Sequence, residues 1–387
     1  MKKTLRMKKT NNVTLKNKPN DKYPPKIANF LNSIKNQITK NCPYKMNLLK
    51  NGARSQNKAG LRISENGSQI KSTYGQLFYY DLVDNAMRVP HWHANGDEIG
   101  IVLEGKIRIT HWNGNECNKQ VFTAEKDGSW YIPRGTLHCL ENLSDGKTSF
   151  LVGYNHPNAG DRDFLDAWSS LPAEIITAST YLSKEDAAIV KRQQLKNRLS
   201  KFEPTTHLAS QAEVFSGYTN NFNLTKPLYS SSLGEIKRID HTNTIEMKNM
   251  GWQKTTIKPG TLRVPHWYTN TNVIYYVNKG KGFVTMLDSF GGGDNEKNYK
   301  FIVERGDIFA MPVGCFHSVL NIINEDLEFF EILYAENDQS TLNSNTISIL
   351  IGIQALSSDV AAGALGLSVD HVEKMMTHEA PKYMVQF

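Results

Sequence analysis

The chain has 387 residues, enough for two or three domains of ordinary size. Its formal net charge is +7 at pH 7, but residues 1–58 carry 15 of the Lys and Arg residues and only one acid, Asp21. The remainder of the chain is therefore mildly acidic, at −7. No stretch approaches 18 consecutive apolar residues, so the sequence predicts no membrane-spanning helix.

Residues 1–58 are rich in Lys and Asn and poor in apolar residues. This composition predicts a basic N-terminal arm that is disordered or loosely attached. Weak contact with nucleic acid or a membrane surface is the alternative, and we expect no specific nucleic-acid partner. No apolar run follows the lysines, which favours a cytoplasmic protein and leaves organelle targeting open.

Candidate metal ligands are concentrated near residue 90. His91 and His93 point the same way if they lie on a strand, because strand side chains alternate with a period of two. Asn95-Gly96 predicts a hairpin turn, after which Glu98 returns on the neighbouring strand, roughly opposite the two histidines. A third imidazole, His138, belongs to a separate motif. The two patterns are His-x-His-x4-Glu-x6-Gly over 91–105 and Gly-x4-Pro-x-Gly-x2-His-x3-Asn over 128–142.

These two motifs resemble those of the cupins, which are small jelly-roll barrels. The resemblance implies an all-β fold that holds a metal inside the barrel with three histidines and one glutamate.

An internal repeat predicts a second barrel. Residues 87–92 return as residues 262–267, an offset of 175, and the stretch that contains His138 returns with His317, an offset of 179. Both repeats contain short alternating strands separated by turns, followed by a short helical coda. We therefore predict tandem cupin barrels, each followed by short C-terminal helices. The expected divisions are the arm 1–58, the first barrel with its coda 59–205, a linker 206–235, and the second barrel with its coda 236–387.

The two repeats differ in their candidate ligands. The second barrel keeps His266 and His317, but Tyr268 stands in place of His93 and Val273 in place of Glu98. A phenol is a poor ligand for a divalent metal at neutral pH, because its pKa is near 10. We therefore expect that only the first barrel binds a metal.

Three imidazoles and one carboxylate suit an octahedral first-row ion and leave two positions open. Imidazole suits zinc, copper, nickel or iron, and the added carboxylate admits manganese, so the ligands alone do not fix the metal. A purely structural site would leave no coordination position open. The two open positions expected here therefore favour catalysis or ligand binding.

Arg88 lies three residues before His91. On a regular strand its side chain would face away from the histidines, whereas a bulge at Val89-Pro90 would turn it inward. Inward, it would supply bidentate donors for a carboxylate held on the metal. Both orientations are open.

The chain resembles one group of cupins more narrowly. Tandem barrels, Arg-x-x-His-Trp-His, Gly-Thr-x-His and a Trp-ending helical coda are similar to those of the bicupin oxalate decarboxylases, over roughly residues 60–375. The resemblance implies manganese on His91, His93, Glu98 and His138, with Arg88 as the substrate arginine. The implied reaction converts oxalate to formate and carbon dioxide with dioxygen as cofactor. It also implies a homo-oligomer assembled through the codas.

Two departures from that family bear on the activity. The family's proton donor is a Glu in a Ser-Glu-Asn-Ser lid, and Ala159 falls about where it would lie. Asp161 or Asp163 could substitute, unless both are surface acids. Without a proton donor, the chemistry would shift towards oxidation, as in oxalate oxidases. The second barrel keeps Arg263 and Glu331, which could simply pair with each other in a scaffold or regulatory pocket.

Three classes of function remain. The first is a manganese enzyme that acts on oxalate or a related small carboxylic acid. The second is a dioxygenase or isomerase that uses iron or another first-row metal. The third is a non-catalytic storage or sugar-binding bicupin. Four desolvated polar ligands argue against the third class, because a packing core has no use for them.

Overall fold

The structure is a computed structural model that describes residues 23–65, 69–71, 74–112, 119–193, 198–203, 217–288, 297–335, 341–342 and 344–387. Strands dominate, as the all-β prediction requires. In the first half they are β1 Lys45–Asn47, β2 Ala53–Asn57, β3 Gly60–Ser64, β4 Gln76–Leu82, β5 Ala86–His93, β6 Glu98–Glu104, β7 Lys106–Trp112, β8 Lys119–Glu125, β9 Gly128–Ile132, β10 Leu137–Asn142, β11 Thr148–Tyr154, β12 Asp161–Asp163 and β13 Leu199–Lys201. In the second half they are β14 Thr219–Asn221, β15 Tyr229–Ser231, β16 Gly234–Ile239, β17 Met250–Ile257, β18 Thr261–Tyr268, β19 Thr271–Lys279, β20 Lys281–Asp288, β21 Lys297–Glu304, β22 Asp307–Met311, β23 Phe316–Asn321, β24 Leu327–Ala335, β25 Thr346–Ser348 and β26 Met384–Gln386.

The helices are short and follow the barrels, except for an N-terminal pair. They are α1 Pro25–Ile34, a 3-10 turn Lys35–Gln37, α2 Leu48–Asn51, α3 Phe164–Ser169, α4 Ala173–Thr180, α5 Lys184–Arg192, α6 Ile349–Gln354, α7 Ser358–Leu365 and α8 Val369–Met376. Within the described ranges, no helix is long and apolar enough to cross a membrane.

Two sheets face each other in each barrel. The first barrel has the orders β14-β9-β6-β11-β4-β3-β2 and β12-β5-β10-β7-β8, with β13 also on β5. The second has β1-β22-β19-β24-β17-β16-β15 and β21-β20-β23-β18-β25, with β26 also on β18. Each barrel gains an edge strand from outside its own repeat. Strand β1, in the N-terminal arm, pairs with β22 of the second barrel, and β14, in the segment between the repeats, pairs with β9 of the first.

The prediction of a disordered arm over residues 1–58 is wrong for residues 23–57. Helix α1 begins at a proline, which is favourable at the first helical turn, and its Ile27 and Leu31 are buried. These two residues share one helix face and pack with Phe283 and Leu320 of the second barrel. The arm has few apolar residues, but their helical spacing suffices to dock it. Residues 1–22 lie outside the described residues.

The expected linker 206–235 is also structured where it is described, from residue 217 onward. It contributes β14 to the first barrel and β15 to the second, and Phe222 is buried between them. The linker is therefore part of both sheets rather than a tether.

One apolar core joins the barrels. Ile99 and Ile101 of β6 belong to the same buried cluster as Trp252 of β17. The Trp252 indole Nε1 also donates to the Gly100 carbonyl at 3.1 Å. The strand that carries Glu98 is thus backed by the second barrel.

Candidate metal centre

Four predicted ligands meet inside the first barrel. His91 and His93 lie on β5, Glu98 begins β6, and His138 lies on β10 directly opposite His91. All four side chains are at least 98% buried. One potential ligand atom from each lies within 4.8 Å of the others. Strand alternation turns His91 and His93 to one side, as the sequence predicts. The predicted hairpin is wrong, because β5 and β6 belong to different sheets and the turn between them crosses to the facing sheet, which brings Glu98 to the histidines.

The backbone fixes which nitrogen of two imidazoles faces the centre. His91 Nδ1 lies 2.8 Å from the Val89 carbonyl, and His138 Nδ1 lies 2.8 Å from the Thr136 carbonyl. A carbonyl only accepts, so each Nδ1 carries the proton and each Nε2 presents a lone pair to the centre. Such outer hydrogen bonds orient histidine ligands in metal sites.

Glu98 is oriented by two aromatic donors. The Trp130 indole Nε1 donates to Glu98 Oε1 at 3.0 Å, and the Tyr154 hydroxyl donates to Oε2 at 3.2 Å. Gly100 makes room for the indole, since a Cβ there would lie 1.9 Å from Trp130. The sequence motifs do not include Trp130 or Tyr154. Their barrel-facing positions on neighbouring strands would have been the signal.

The donor set fits a cation. Oε2 of Glu98 lies 3.1 Å from His93 Nε2 and 3.3 Å from His138 Nε2. Burial raises the pKa of Glu98, but positive charge at the neighbouring imidazoles of His138 and His93 outweighs it and holds that pKa well below its usual range, and a cation bound between these groups would act in the same direction. Burial, with Arg88 nearby, lowers the pKa of His91 well below its ordinary value. An ionised carboxylate facing imidazole lone pairs is compensated by a divalent ion, and first-row metals prefer this set.

A β-bulge turns Arg88 inward. Between β5 and β10, His91 pairs with His138 and Arg88 pairs with Leu140. Arg88 is three residues from His91 but Leu140 is only two from His138, so β5 contains one extra residue, which is a bulge. Arg88 is therefore 99% buried, on the same side as the histidines. Of the two orientations left open by the sequence, the inward one is correct.

Two aspartates hold the Arg88 guanidinium. Its Nη1 donates to Asp163 at 2.7 Å, and its Nη2 donates to Asp161 at 2.5 Å. Strand β12, which carries both acids, pairs with β5, so that Asp161 faces His93 and Asp163 faces His91. The alternative that both are surface acids is wrong, because Asp163 is buried and the Asp161 side chain is only 12% exposed.

Arg198 completes this ion-pair cluster. It lies 2.5 Å from Asp161 and 3.5 Å from Asp163, and its carbonyl accepts from Arg88 at 3.3 Å. Burial raises the pKa of Asp161, but Arg88, His93, Arg198 and Arg62 together outweigh it, so this pKa is lowered and Asp161 is an anion. Arg198 is 110 residues from Arg88 in sequence, and no motif signals it.

The segment before β12 is pinned in place. The Asn95 side chain accepts from the Gly160 N–H at 2.5 Å and donates to the Asn158 carbonyl at 3.2 Å. The Ala159 N–H donates to Gln76 at 3.1 Å. Ala159 therefore contributes a backbone contact but no acid to this segment.

The second barrel uses the corresponding positions differently. The Tyr268 hydroxyl donates to Glu331 at 2.8 Å, and the Tyr275 hydroxyl lies 2.9 Å from His317 Nε2. Glu331 also accepts from Gln253 and Thr255. Arg263 and Glu331, which could have paired with each other, do not, and the Glu331 carboxylate accepts from Tyr268, Gln253 and Thr255 instead.

Comparison with known proteins identifies the class. The family model described as Cupin matches residues 46–188 and 220–373, so the chain belongs to the cupin family and contains two copies of the domain.

Within that family it is a bicupin similar to oxalate decarboxylase. The oxalate decarboxylase of Bacillus subtilis (strain 168) is 27% identical over 279 residues, which cover 70% of this chain and 68% of that protein. A solved structure of a mutant of the same enzyme aligns with a TM-score of 0.76 and 21% identity over 90% of each chain. Vicilin of Pisum sativum is 22% identical over 379 residues, covering 81% of this chain and 82% of the relative.

Proposed function

We propose that this bicupin is a metal-dependent enzyme that converts oxalate, or a related small carboxylic acid, to formate and carbon dioxide in its first barrel. The observation that carries the proposal is the buried set of His91, His93, Glu98 and His138, in which the lone pairs of His91 and His138 are turned inward by backbone carbonyls. A packing core gains nothing from four desolvated polar groups. The similarity to oxalate decarboxylase supplies the substrate class.

Manganese is the metal we propose. Bacillus subtilis oxalate decarboxylase, a solved structure with the same fold, has Mn(II) centres. A divalent manganese ion on these four ligands, with dioxygen as cofactor, would supply Lewis-acid and one-electron chemistry. Iron or another first-row ion is the alternative for the same ligands.

Arg88 is the proposed substrate-binding cation. Its guanidinium is buried beside the metal ligands, where bidentate donors would fix one carboxylate of the substrate. Both of its terminal nitrogens are bonded to Asp163 and Asp161 in this structure. Substrate binding would therefore exchange at least one aspartate for the substrate carboxylate, and Arg198 remains as a counterion for the displaced acid.

Asp161 is the proposed proton donor. Loss of carbon dioxide breaks the C–C bond of oxalate, and the remaining carbon then requires one proton to become formate. Asp161 lies on β12 opposite the ligand His93, but its ion pairs with Arg88 and Arg198 keep it deprotonated. It can hold a proton only after both Arg88 and Arg198 have turned away from it. The turn of Arg88 to the substrate would couple substrate binding to proton delivery.

Oxidation is the second candidate reaction. Ala159 offers no acid, and Asp161 is ion-paired, so protonation of the carbon can fail. Oxalate would then lose two electrons to dioxygen, giving two molecules of carbon dioxide and one of hydrogen peroxide. A non-catalytic binding protein is the third candidate, and the similarity to vicilin favours it.

Product analysis separates these candidates. The manganese-loaded protein is incubated in air with carbon-13-labelled oxalate at pH 5, while formate is followed by NMR and peroxide by a coupled dye assay. Formate equal to the oxalate consumed supports decarboxylation, and peroxide without formate supports oxidation. Unchanged oxalate, with a metal bound, contradicts both.

We also propose a homo-oligomer assembled through the coda helices. Apolar side chains are exposed there, among them Ile175 and Ile189 of the first coda and Val360 and Leu365 of the second. Exposed apolar groups on neighbouring helices are typical of association surfaces. Light scattering on the purified protein should give a mass that is a multiple of 43.7 kDa, and a monomer mass would refute the proposal.

A further inference from the structure

The second barrel turns an arginine inward by the same device as the first. Between β18 and β23, His266 faces His317 but Arg263 faces Val319, so the strand bulges at the equivalent position. Arg263 is consequently 97% buried. Its Nη1 donates to the Tyr383 carbonyl at 3.2 Å, and its guanidinium lies over the Tyr383 ring at 5.0 Å.

The acids that neutralise the first-barrel arginine have no counterpart in the second barrel. Strand β25 occupies the place of β12: Ser348 faces His266 as Asp163 faces His91, and Thr346 faces Tyr268 as Asp161 faces His93. Two carboxylates are thus replaced by two hydroxyls. In the part of the chain that the structure describes, no carboxylate lies within ion-pairing distance of Arg263.

Two further buried polar atoms belong to the paired residues His266 and Ser348, three residues along β18 from Arg263. Ser348 Oγ and His266 Nε2 have no hydrogen-bond partner among the described residues. His266 Nδ1 lies 2.7 Å from the Val264 carbonyl, so Nδ1 carries the proton and Nε2 presents a lone pair. Burial, with Arg263 nearby, lowers the pKa of His266 well below its ordinary value, which keeps the ring neutral.

Buried charges and buried polar atoms are costly unless they are paired. A ligand that pairs all three groups needs both acceptors and a donor. Arg263 and the Ser348 hydroxyl can donate hydrogen bonds, while His266 Nε2 can only accept one. We propose that Arg263, Ser348 and His266 form a metal-free site for a small planar anion that has carboxylate-type oxygens and one O–H group. Bicarbonate has this chemistry, whereas formate has the oxygens without the O–H. The site is independent of the reaction proposed for the first barrel.

The site is tested by calorimetric titration of the purified protein with bicarbonate at pH 8. The wild type should bind one equivalent per chain that Arg263→Gln removes, and the matched first-barrel variant Arg88→Gln should retain it. Formate should bind the same site at least about tenfold more weakly, because it leaves the His266 acceptor unpaired. Binding by Arg263→Gln equal to that of the wild type would overturn the proposal, as would equal affinities for bicarbonate and formate.

A second variant keeps the test decisive if Arg263→Gln does not fold. Ser348→Asp restores the carboxylate that the first barrel has at Asp163, so it supplies Arg263 with an internal counterion. We expect its Tm without added anion to rise by about 3 °C or more, and bicarbonate binding to be lost. Ser348→Asn, which has the same size without the charge, should lack the rise. A lower Tm for Ser348→Asp than for Ser348→Asn, with bicarbonate binding intact, would refute the site. Neither measurement involves oxalate turnover, so its outcome is separate from that of the proposed reaction.

Discussion

Trp130→Phe tests whether hydrogen bonding around Glu98 controls the affinity of the metal centre. The substitution removes the 3.0 Å bond from the indole Nε1 to Glu98 Oε1, in a position with no solvent exposure. A buried acceptor left without its partner costs about 1–3 kcal/mol. Outer-shell partners of metal ligands typically contribute about 10- to 100-fold in metal affinity. We therefore expect Trp130→Phe to weaken manganese binding by that factor.

Trp252→Phe is the matched control. Trp252 is equally buried, and its indole donates to the Gly100 carbonyl at 3.1 Å, so the same atoms are deleted two residues from Glu98. Both variants should lose a similar free energy of unfolding when metal-free. Only Trp130→Phe should release manganese more readily in competition with a chelator of known affinity. Equal manganese affinities in the two variants would refute the reasoning.

The remaining predictions concern the lid, the ion-pair cluster and the arm. Ala159→Glu should raise the ratio of formate to peroxide, because it adds an acid to the segment that leads into β12. An unchanged ratio in the product assay would contradict this. Asp161→Asn should lower the free energy of unfolding, measured with urea. The pKa of Asp161 is lowered in the folded protein, so its ion pairs stabilise the fold only while it is ionised. The difference from the wild type should therefore be full above about pH 4 and become smaller at lower pH. A loss that does not depend on pH between 3 and 7 would count against that ion pair. Leu31→Ala should lower the free energy of unfolding by about 2–4 kcal/mol, because Leu31 is 98% buried against the second barrel. Asn32 is exposed, so the control Asn32→Ala should change that free energy by less than about 0.5 kcal/mol. Equal unfolding free energies for these two variants would mean that α1 does not dock.

The metal ligands could be predicted because their geometry is local. His91 and His93 are two residues apart on one strand, and a short turn that crosses to the facing sheet brings back Glu98. Strand alternation then determines which side chains face the barrel interior. The internal repeat likewise predicts the second barrel, since the ligand spacing returns with altered residues.

The surroundings of the centre could not be predicted because they depend on register and on distant segments. The inward turn of Arg88 needs a bulge, and only the pairing of β5 with β10 reveals it. Arg198 reaches the two aspartates from beyond the first coda, and no periodicity marks it. The docking of α1 was missed because average composition hid two well-spaced apolar residues, Ile27 and Leu31.

Elemental analysis of the wild type and of Glu98→Gln, with oxalate turnover assayed on the same samples, tests the central proposal most directly. A first-barrel manganese enzyme predicts about one manganese per wild-type chain with formate production. It also predicts that Glu98→Gln loses both metal and turnover, while its circular dichroism spectrum is retained. Manganese in Glu98→Gln at the wild-type level, or oxalate turnover by that variant without a metal, would contradict it.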